Sequence, residues 1–178
     1  KQCQYLTLRL EINGEEIRRS YSACSSPVAD DELRIAVKKV ENGKASTYLN
    51  NGIEVGTPID VMKPMGNFFT EMPADSPKHY VAFAAGSGIT PIMSLLKTAL
   101  SVDTSNKFTL FYGNRDTESI IFKNELEELE NKNPGRFKVV HILSREETAD
   151  PLFKGRITAD KYKGLFNTFP EISRADEY

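Results

Sequence analysis

The sequence predicts two domains, a small antiparallel β-barrel followed by an α/β domain with a doubly wound parallel sheet. In residues 1–70, short segments alternate apolar and polar side chains and are separated by Asn-Gly turns, as in half-buried antiparallel strands. From residue 79 onwards, near-continuous apolar runs alternate with segments of helical periodicity, which is typical of a parallel sheet covered by helices. A polar segment with two prolines lies between these parts, so we expect domains over residues 1–72 and 77–178.

The first domain is predicted from local patterns. Residues 4–12 and 15–22 are expected to form a hairpin around Asn13-Gly14, because both turn residues tolerate positive φ. A third strand is expected over 33–41, ending at the Asn42-Gly43 turn, and a short strand over 59–63. Between them, Ser46 is expected to cap a short helix that ends at residue 51.

The second domain is predicted from three apolar strands, over 79–85, 107–112 and 136–143. A helix should follow each strand. The first is expected to be capped by Thr90, with Pro91 as its first residue, and to run to residue 100. The other two are expected over 118–131 and 158–166, where apolar residues recur at helical spacing.

Composition excludes several classes of function. The chain has 23 Lys and Arg against 25 Asp and Glu, so it lacks the basic excess of a nucleic-acid-binding protein. No apolar run approaches the roughly 18–20 residues of a membrane span. Its two cysteines, Cys3 and Cys24, do not form a CxxC pair and cannot hold a four-cysteine iron–sulfur or zinc site, so we expect no metal in this chain. Two lone thiols fit a reducing cytoplasm.

Two groups of residues are candidates for binding a nucleotide cofactor. Gly86-Ser87-Gly88 follows a buried strand and opens a helix, where backbone N–H groups could face a pyrophosphate; a plain strand-to-helix turn explains the pattern equally well. Arg19 and Tyr21 should project from one face of a strand, where they could hold a phosphate and stack on a flat ring. The alternative is an exposed strand with a half-buried tyrosine.

Three motifs, in order along the chain, resemble those of the ferredoxin–NADP reductase superfamily. The nearest branch resembles the reductase subunit of bacterial phenylacetyl-CoA epoxidase and related oxygenase reductases. The resemblance covers nearly the whole chain. The motifs are Arg19-Ser20-Tyr21-Ser22 with Cys24-Ser25-Ser26-Pro27, Gly43-Lys44-Ala45-Ser46 with Gly66-Asn67-Phe68, and Gly86-Ser87-Gly88-Ile89-Thr90-Pro91 with Tyr112-Gly113-Asn114-Arg115 and Ser144-Arg145.

The resemblance implies that the barrel binds FAD. Arg19 would pair with the flavin pyrophosphate, Tyr21 would stack on the isoalloxazine ring, and Ser22 would donate a hydrogen bond near flavin N5. Phe68 would pack near the adenine or the flavin, with a core position at the barrel rim as the alternative. The pyrophosphate would also be held by the turn of Gly43, Lys44, Ala45 and Ser46, although a plain helix cap remains an alternative for Ser46.

The resemblance further implies that the second domain binds NAD(P)H. Gly86, Gly88 and Thr90 would meet the nicotinamide nucleotide, and Thr90 joins Tyr21 and Ser22 as a predicted catalytic residue. Arg115, Ser144 and Arg145 follow the second and third strands, at the edge of the sheet where ligands bind.

The coenzyme prediction rests on charge. Arginine accepts a 2′-phosphate, so Arg115 and Arg145 favour NADPH over NADH. Asp116 and Glu146 lie beside them and could instead accept a ribose hydroxyl, which keeps NADH open. Either arginine could also be a solvated loop charge.

The function implied by the resemblance is electron transfer from NAD(P)H through FAD to an iron–sulfur carrier, either a separate domain or a ferredoxin-like acceptor, that serves an oxygenase component. A [2Fe–2S] cluster is expected only in a domain absent from this chain, which looks trimmed at both ends and is therefore expected to donate electrons slowly. The alternative to an enzyme is a binding module that holds flavin or nucleotide without turnover. An unrelated α/β nucleotide binder would leave Arg19-Ser20-Tyr21-Ser22 unexplained.

Overall fold

The computed structural model describes residues Lys1–Tyr178 and contains two three-stranded sheets. Its strands are β1 (Tyr5–Ile12), β2 (Glu15–Ser22), β3 (Asp60–Val61), β4 (His79–Ala85), β5 (Lys107–Asn114) and β6 (Phe137–Leu143). Its α-helices are α1 (Lys44–Asn51), α2 (Ile89–Val102), α3 (Lys123–Lys132) and α4 (Ala159–Thr168). The predicted fold class is confirmed, because the first sheet is antiparallel and the second is parallel with helices packed on it.

The antiparallel sheet is organised around the β1–β2 hairpin. Asn13 and Gly14 have φ values of 55° and 78°, the conformation of a type I′ turn, which these two residues adopt at little cost. β3 pairs with the other edge of β1, so the strand order is β2-β1-β3. One face of the sheet is covered by α1, and the core between them contains Leu6, Leu8, Leu10, Ile17 and Ala45.

The strand predicted over 33–41 does not form, and this prediction was wrong. Only Ile35 pairs, in an isolated antiparallel bridge with Ala23, and residues 38–40 are exposed. Alternation along the chain is a local property, whereas a strand needs a neighbouring backbone along its whole length. β3 is also shorter than the predicted 59–63, since only Asp60 and Val61 pair with β1.

The predicted cap of α1 was wrong, because Ser46 does not occupy the N-cap position. The helix begins at Lys44 and its N-cap is Gly43, so Ser46 lies inside the first turn. The Ser46 hydroxyl donates to the Gly43 carbonyl oxygen (3.2 Å) and accepts from the Val40 backbone N–H (3.1 Å). The serine therefore ties the 40–43 turn to the helix, which is a common use of a hydroxyl at a helix start.

The parallel sheet has the strand order β4-β5-β6 and is covered on both faces. Leu110 of β5 belongs to a buried cluster with Leu96 of α2 and Leu126 of α3. The next residue, Phe111, belongs to a second cluster with Leu165 of α4. Successive side chains of a strand point to opposite faces, so β5 is buried on both sides, as the apolar runs predicted.

Two of the three helix starts predicted in this domain were wrong. α2 begins at Ile89, directly after a 3₁₀ turn at Gly86–Gly88, so Thr90 lies within the helix and its hydroxyl donates to the Ser87 carbonyl oxygen (3.0 Å). The helix predicted from residue 118 begins at Lys123, because Phe122 takes a left-handed conformation with φ 62°. The third start is confirmed, since the Thr158 side chain accepts from the Lys161 N–H at the start of α4.

Helix α2 joins the two parts of the molecule through buried hydrogen bonds. Ser94 donates to the Ser25 carbonyl oxygen (2.6 Å) and accepts from the Cys3 backbone N–H (3.3 Å). One turn further on, the Thr98 hydroxyl is 2.9 Å from the Ser26 hydroxyl. The same helix therefore packs on the parallel sheet and contacts the N-terminal part. The boundary between residues 72 and 77 stays a prediction.

None of the helices combines the length and the apolar character required to cross a membrane. No group of three or more His, Cys, Asp and Glu side chains is arranged so that it could hold a metal ion.

Candidate functional site

A cavity of about 760 Å³, which we call the cationic cavity, opens at the carboxyl ends of the three parallel strands. It is lined by residues 85–86, 113–115, 119, 144–145 and 155–157 of the second domain, and by residues 38–41 of the first. In open parallel sheets this edge is where ligands bind, because loops and helix starts converge there. The lining contains five cationic side chains and a single carboxylate, Glu41, so the cavity favours an anion; the cations are Lys38, Lys39, Arg115, Arg145 and Arg156.

The glycine turn at the end of β4 forms one wall of this cavity. Gly86 has φ 51°, and a Cβ there would meet no atom within 4 Å, so backbone conformation rather than space requires glycine. The Tyr112 hydroxyl donates to the Gly86 carbonyl oxygen (2.9 Å), which anchors the turn to β5. Burial raises the pKa of Tyr112 to about 12, so its hydroxyl keeps its proton. Of the other predicted residues here, Gly88 is exposed and Thr90 is buried, and neither lines the cavity.

The loops after β5 and β6 bring the two predicted arginines together. The Arg145 backbone N–H donates to the Arg115 carbonyl oxygen (2.7 Å), and the Ser144 N–H donates to the Asn114 carbonyl oxygen (2.9 Å), so the two chain segments stay paired past the ends of the strands. Both arginine side chains are exposed, both line the cavity, and neither forms an ion pair. Their charges are therefore available to an anionic ligand.

The carboxylates beside these arginines are already engaged. Asp116 accepts from the Ser119 backbone N–H (2.9 Å) in a capping box. Glu146 accepts from the backbone N–H of Thr117 (2.7 Å) and from its hydroxyl (2.9 Å). From the sequence, both carboxylates were possible acceptors for a ribose hydroxyl. In the structure each is bonded within the protein, and neither lines the cavity.

In the first domain, Arg19 and Tyr21 share the face of β2 that is turned toward α1. Arg19 stands opposite Leu8 in the strand register, and Tyr21 stands opposite Leu6. Tyr21 is half-buried and its pKa is raised by burial, while the charge of Arg19 acts in the opposite direction. The Arg19 guanidinium is exposed, and it donates to the Arg18 carbonyl oxygen (2.7 Å). Ser22 follows on the opposite face and is half-buried.

The Gly43–Ser46 turn packs beside this face. Ala45 belongs to the core cluster against which Tyr21 packs. A Cβ on Gly43 would come within 2.5 Å of the Ser46 Oγ, so a side chain there would displace the Ser46 hydroxyl from the turn. The Lys44 ammonium pairs with Glu15 (2.6 Å) at the exposed surface. The structure therefore brings Arg19, Tyr21 and this turn to one side of the sheet.

Phe68 lies apart from these residues. Its side chain is 61% exposed, which excludes the alternative of a core phenylalanine at the barrel rim. It lines a separate, apolar cavity of about 410 Å³ together with Met72, Tyr80 and Phe83.

Lys38, Lys39, Asn114 and Arg156 are among the lining residues of the cationic cavity that the sequence reasoning missed. Lys38 and Lys39 lie in the segment predicted as a strand, and Asn114 was quoted only as part of a motif. Arg156 returns to the cavity because Lys154 forms a parallel bridge with Leu143 at the end of β6. A signal existed for the lysines, since adjacent basic residues just before a glycine turn are unusual on a covered strand. No sequence signal marked Arg156.

Together, the fold and the cavity define the class of two-domain nucleotide-binding proteins, in which an antiparallel domain is followed by a parallel α/β domain, here with a cationic cavity at the ends of its strands. The chain belongs to the family described as oxidoreductase NAD-binding domain, which matches residues 83–176, and residues 1–70 match the oxidoreductase FAD-binding domain. The predicted class, a flavin- and nicotinamide-dependent oxidoreductase, is thereby confirmed, as is the prediction of FAD and a nicotinamide dinucleotide as its cofactors.

Individual relatives agree with this family. The E subunit of 1,2-phenylacetyl-CoA epoxidase from Escherichia coli (strain K12) is 40% identical over 162 residues, which cover 91% of this chain and 45% of that protein. The ferredoxin reductase component of 3-ketosteroid-9-alpha-monooxygenase from Mycobacterium tuberculosis is 46% identical over 143 residues, which cover 79% of this chain and 38% of that protein. The chain thus spans less than half the length of these two relatives.

A solved structure shows the same fold. Ferredoxin-NADP+ reductase from Plasmodium falciparum, determined with 2′P-AMP, superposes with a TM-score of 0.79 at 21% identity, covering 99% of this chain and 71% of that one. The predicted resemblance to the ferredoxin–NADP reductase superfamily is confirmed.

Proposed function

We propose that this chain is the FAD- and NAD(P)H-binding core of a flavoprotein reductase that passes electrons from NAD(P)H through FAD to an iron–sulfur carrier serving an oxygenase system. The observation that carries the proposal is the cationic cavity, whose five cationic side chains come from both domains at the ligand-binding edge of a parallel sheet. Such a cavity suits a pyrophosphate-containing ligand that must lie against the flavin-binding domain.

The residues of the first domain fit FAD. An arginine without an ion pair, a half-buried tyrosine on the same face and a glycine turn that a Cβ would obstruct form a surface for a phosphate beside a flat ring. Arg19 would hold the pyrophosphate with Gly43, Lys44, Ala45 and Ser46. Tyr21 would orient the ring and Ser22 would donate a hydrogen bond beside it, whereas Phe68 lines a separate cavity and is left out of this flavin site. Bound FAD would supply two-electron acceptance and one-electron delivery.

The residues of the second domain fit NADPH. Gly86 and Gly88 would let the dinucleotide backbone approach the start of α2, with Thr90 one turn behind them. Ser144, Arg115 and Arg145 would hold the adenosine phosphate. We favour NADPH over NADH for two reasons. The carboxylates of Asp116 and Glu146 already accept hydrogen bonds within the protein, and neither Arg115 nor Arg145 forms an ion pair, so both arginines can bind a 2′-phosphate.

The electron acceptor is proposed from the relatives. Both are named as subunits or components of oxygenase systems, one of which acts on phenylacetyl-CoA. We therefore propose an iron–sulfur domain or ferredoxin-like acceptor and an oxygenase component as partners, with phenylacetate degradation as one such system. The two cysteines are free and buried, which fits a reducing compartment such as the cytoplasm.

The test is an anaerobic titration of the purified, FAD-loaded protein. Adding NADPH should bleach the visible flavin absorbance slowly, and NADH should bleach it more slowly still. Adding an oxidised ferredoxin should then restore the absorbance. Bound flavin that neither coenzyme bleaches would favour a binding module without turnover. A protein that binds no flavin would contradict both hypotheses.

A further inference from the structure

The two loops that carry Arg115 and Arg145 are fastened to each other by one side chain. Glu146, directly after Arg145, accepts two hydrogen bonds from Thr117, one from the backbone N–H (2.7 Å) and one from the hydroxyl (2.9 Å). Thr117 is only two residues past Arg115. Together with the backbone bond from Arg145 to Arg115 (2.7 Å), these contacts form a closed connection that we call the Glu146 clasp.

The clasp uses both oxygens of the carboxylate. Hydrogen bonds to a charged acceptor are stronger than those between neutral groups, so Glu146 is held in place rather than free to turn toward the cavity. Its backbone neighbour Arg145 is exposed, whereas Glu146 is half-buried and does not line the cavity. The carboxylate therefore acts on the neighbouring loop and not on a ligand.

We propose that Glu146 is a positioning residue that sets coenzyme selectivity, by holding the Arg115 and Arg145 loops together around the 2′-phosphate of NADPH. This inference rests on the proposed function, since it requires the cationic cavity to bind the coenzyme. A site formed by two loops loses affinity when those loops must be ordered on binding. The clasp holds the two loops together before the coenzyme binds.

The proposal predicts a change in anion affinity that is opposite in sign to the change expected from electrostatics alone. Removing a carboxylate near an anion site should strengthen anion binding if only charge matters. If the Glu146 clasp holds the site together, Glu146→Ala should instead weaken anion binding, because the two loops lose their connection. Glu146→Gln removes the same charge but keeps the clasp, since its carbonyl can accept from the Thr117 N–H and its amide can donate to the Thr117 hydroxyl.

The test compares binding of 2′,5′-ADP and 5′-AMP by isothermal titration calorimetry, because these two probes differ only in the 2′-phosphate. Glu146→Ala should weaken the binding of 2′,5′-ADP roughly 10-fold and leave the binding of 5′-AMP unchanged, whereas Glu146→Gln should bind both probes as the parent does. Glu147→Ala is the matched control, because it removes the adjacent carboxylate, which is exposed and pairs with Lys154. Glu147→Ala should not weaken the binding of either probe.

Further measurements keep the test decisive. Thr117→Val removes one of the two bonds with little change in shape, so it should give a smaller loss confined to 2′,5′-ADP even if Glu146→Ala folds poorly. In turnover, the NADPH/NADH ratio of kcat/KM should fall for Glu146→Ala through the KM for NADPH.

Three results would overturn the proposal. Glu146→Ala could bind 2′,5′-ADP as tightly as the parent does, both probes could weaken equally, or Glu146→Gln could lose as much affinity as Glu146→Ala. A parent protein that binds neither probe would overturn the proposed nucleotide site itself, and the clasp with it.

Discussion

Two buried tyrosines offer a matched test of the structure. Tyr80 and Tyr112 lie on neighbouring parallel strands and belong to the same core cluster, 4% and 0% exposed. The Tyr112 hydroxyl donates to the Gly86 carbonyl oxygen, whereas the Tyr80 hydroxyl is buried without a hydrogen-bond partner. Replacing each with phenylalanine removes one oxygen atom and leaves the ring in place. The two substitutions should change the free energy of unfolding in opposite directions.

The magnitudes follow from the hydrogen-bonding state of each hydroxyl. A buried polar group without a partner costs about 1–3 kcal/mol, so Tyr80→Phe should raise the free energy of unfolding by about 1 kcal/mol. Tyr112→Phe removes a made bond, which contributes about 1 kcal/mol net. Its loss should stay near that value, because the Gly86 carbonyl oxygen still accepts from the Ile89 N–H. For a chain of this size, each change corresponds to a shift in Tm of about 2–4 °C.

Urea unfolding, followed by circular dichroism, measures both variants against the parent. Equal m-values are required, so that a shifted midpoint reports stability and not a changed denatured state. The reasoning is refuted if Tyr80→Phe is less stable than the parent, or if both substitutions shift the midpoint in the same direction. A less stable Tyr80→Phe variant would mean that the Tyr80 hydroxyl has a partner, or that its ring moves when the oxygen is removed. A more stable Tyr112→Phe variant would mean that the bond from Tyr112 to Gly86 does not stabilise the fold.

Two further predictions concern the flavin face and the buried thiols. Arg19→Ala should weaken FAD binding by about 10- to 150-fold, which corresponds to the loss of one charge-assisted contact. Arg18→Ala is the control and should leave FAD binding unchanged, because Arg18 pairs with Glu16. Flavin fluorescence titration measures both variants, and equal affinities for the parent and Arg19→Ala would contradict the pyrophosphate role of Arg19. Burial raises the pKa of the Cys3 thiol from 9.0 to about 12, so the unfolded chain loses this proton first and stability should fall as the pH rises from 9 toward 12. Cys3→Ala should reduce that fall, measured as the difference between urea unfolding at about pH 7 and about pH 10, and an identical pH dependence in the variant would contradict it.

Local patterns were reliable where a few adjacent residues decide the structure. The Asn13-Gly14 hairpin formed as predicted because positive φ at both turn positions is a property of those residues. The helix predicted from residue 158 begins at Ala159, because the Thr158 oxygen needs only the N–H of Lys161, three residues on, to cap it. The predicted strand at 33–41 failed because its alternation had no matching backbone beside it beyond Ala23.

The candidate site shows the same division. The order of motifs along the chain located the two cofactor domains, and strand ends in a parallel sheet placed Arg115 and Arg145 at one edge. The capping predictions for Ser46 and Thr90 were wrong, because each hydroxyl instead donates a hydrogen bond to the carbonyl oxygen three residues before it.

The sequence by itself determined the fold class, the two cofactors and two of the three arginines that line the cationic cavity, Arg115 and Arg145, because periodicity, turn residues and motif order are properties of the chain itself. Only the tertiary structure decided what the carboxylate of Glu146 does. It has the same chemistry as a ribose-binding acid, and nothing in the spacing of Glu146 along the chain distinguishes it from one. Glu146 comes within 3 Å of Thr117 only when the loops after β5 and β6 lie side by side, which requires the folded sheet.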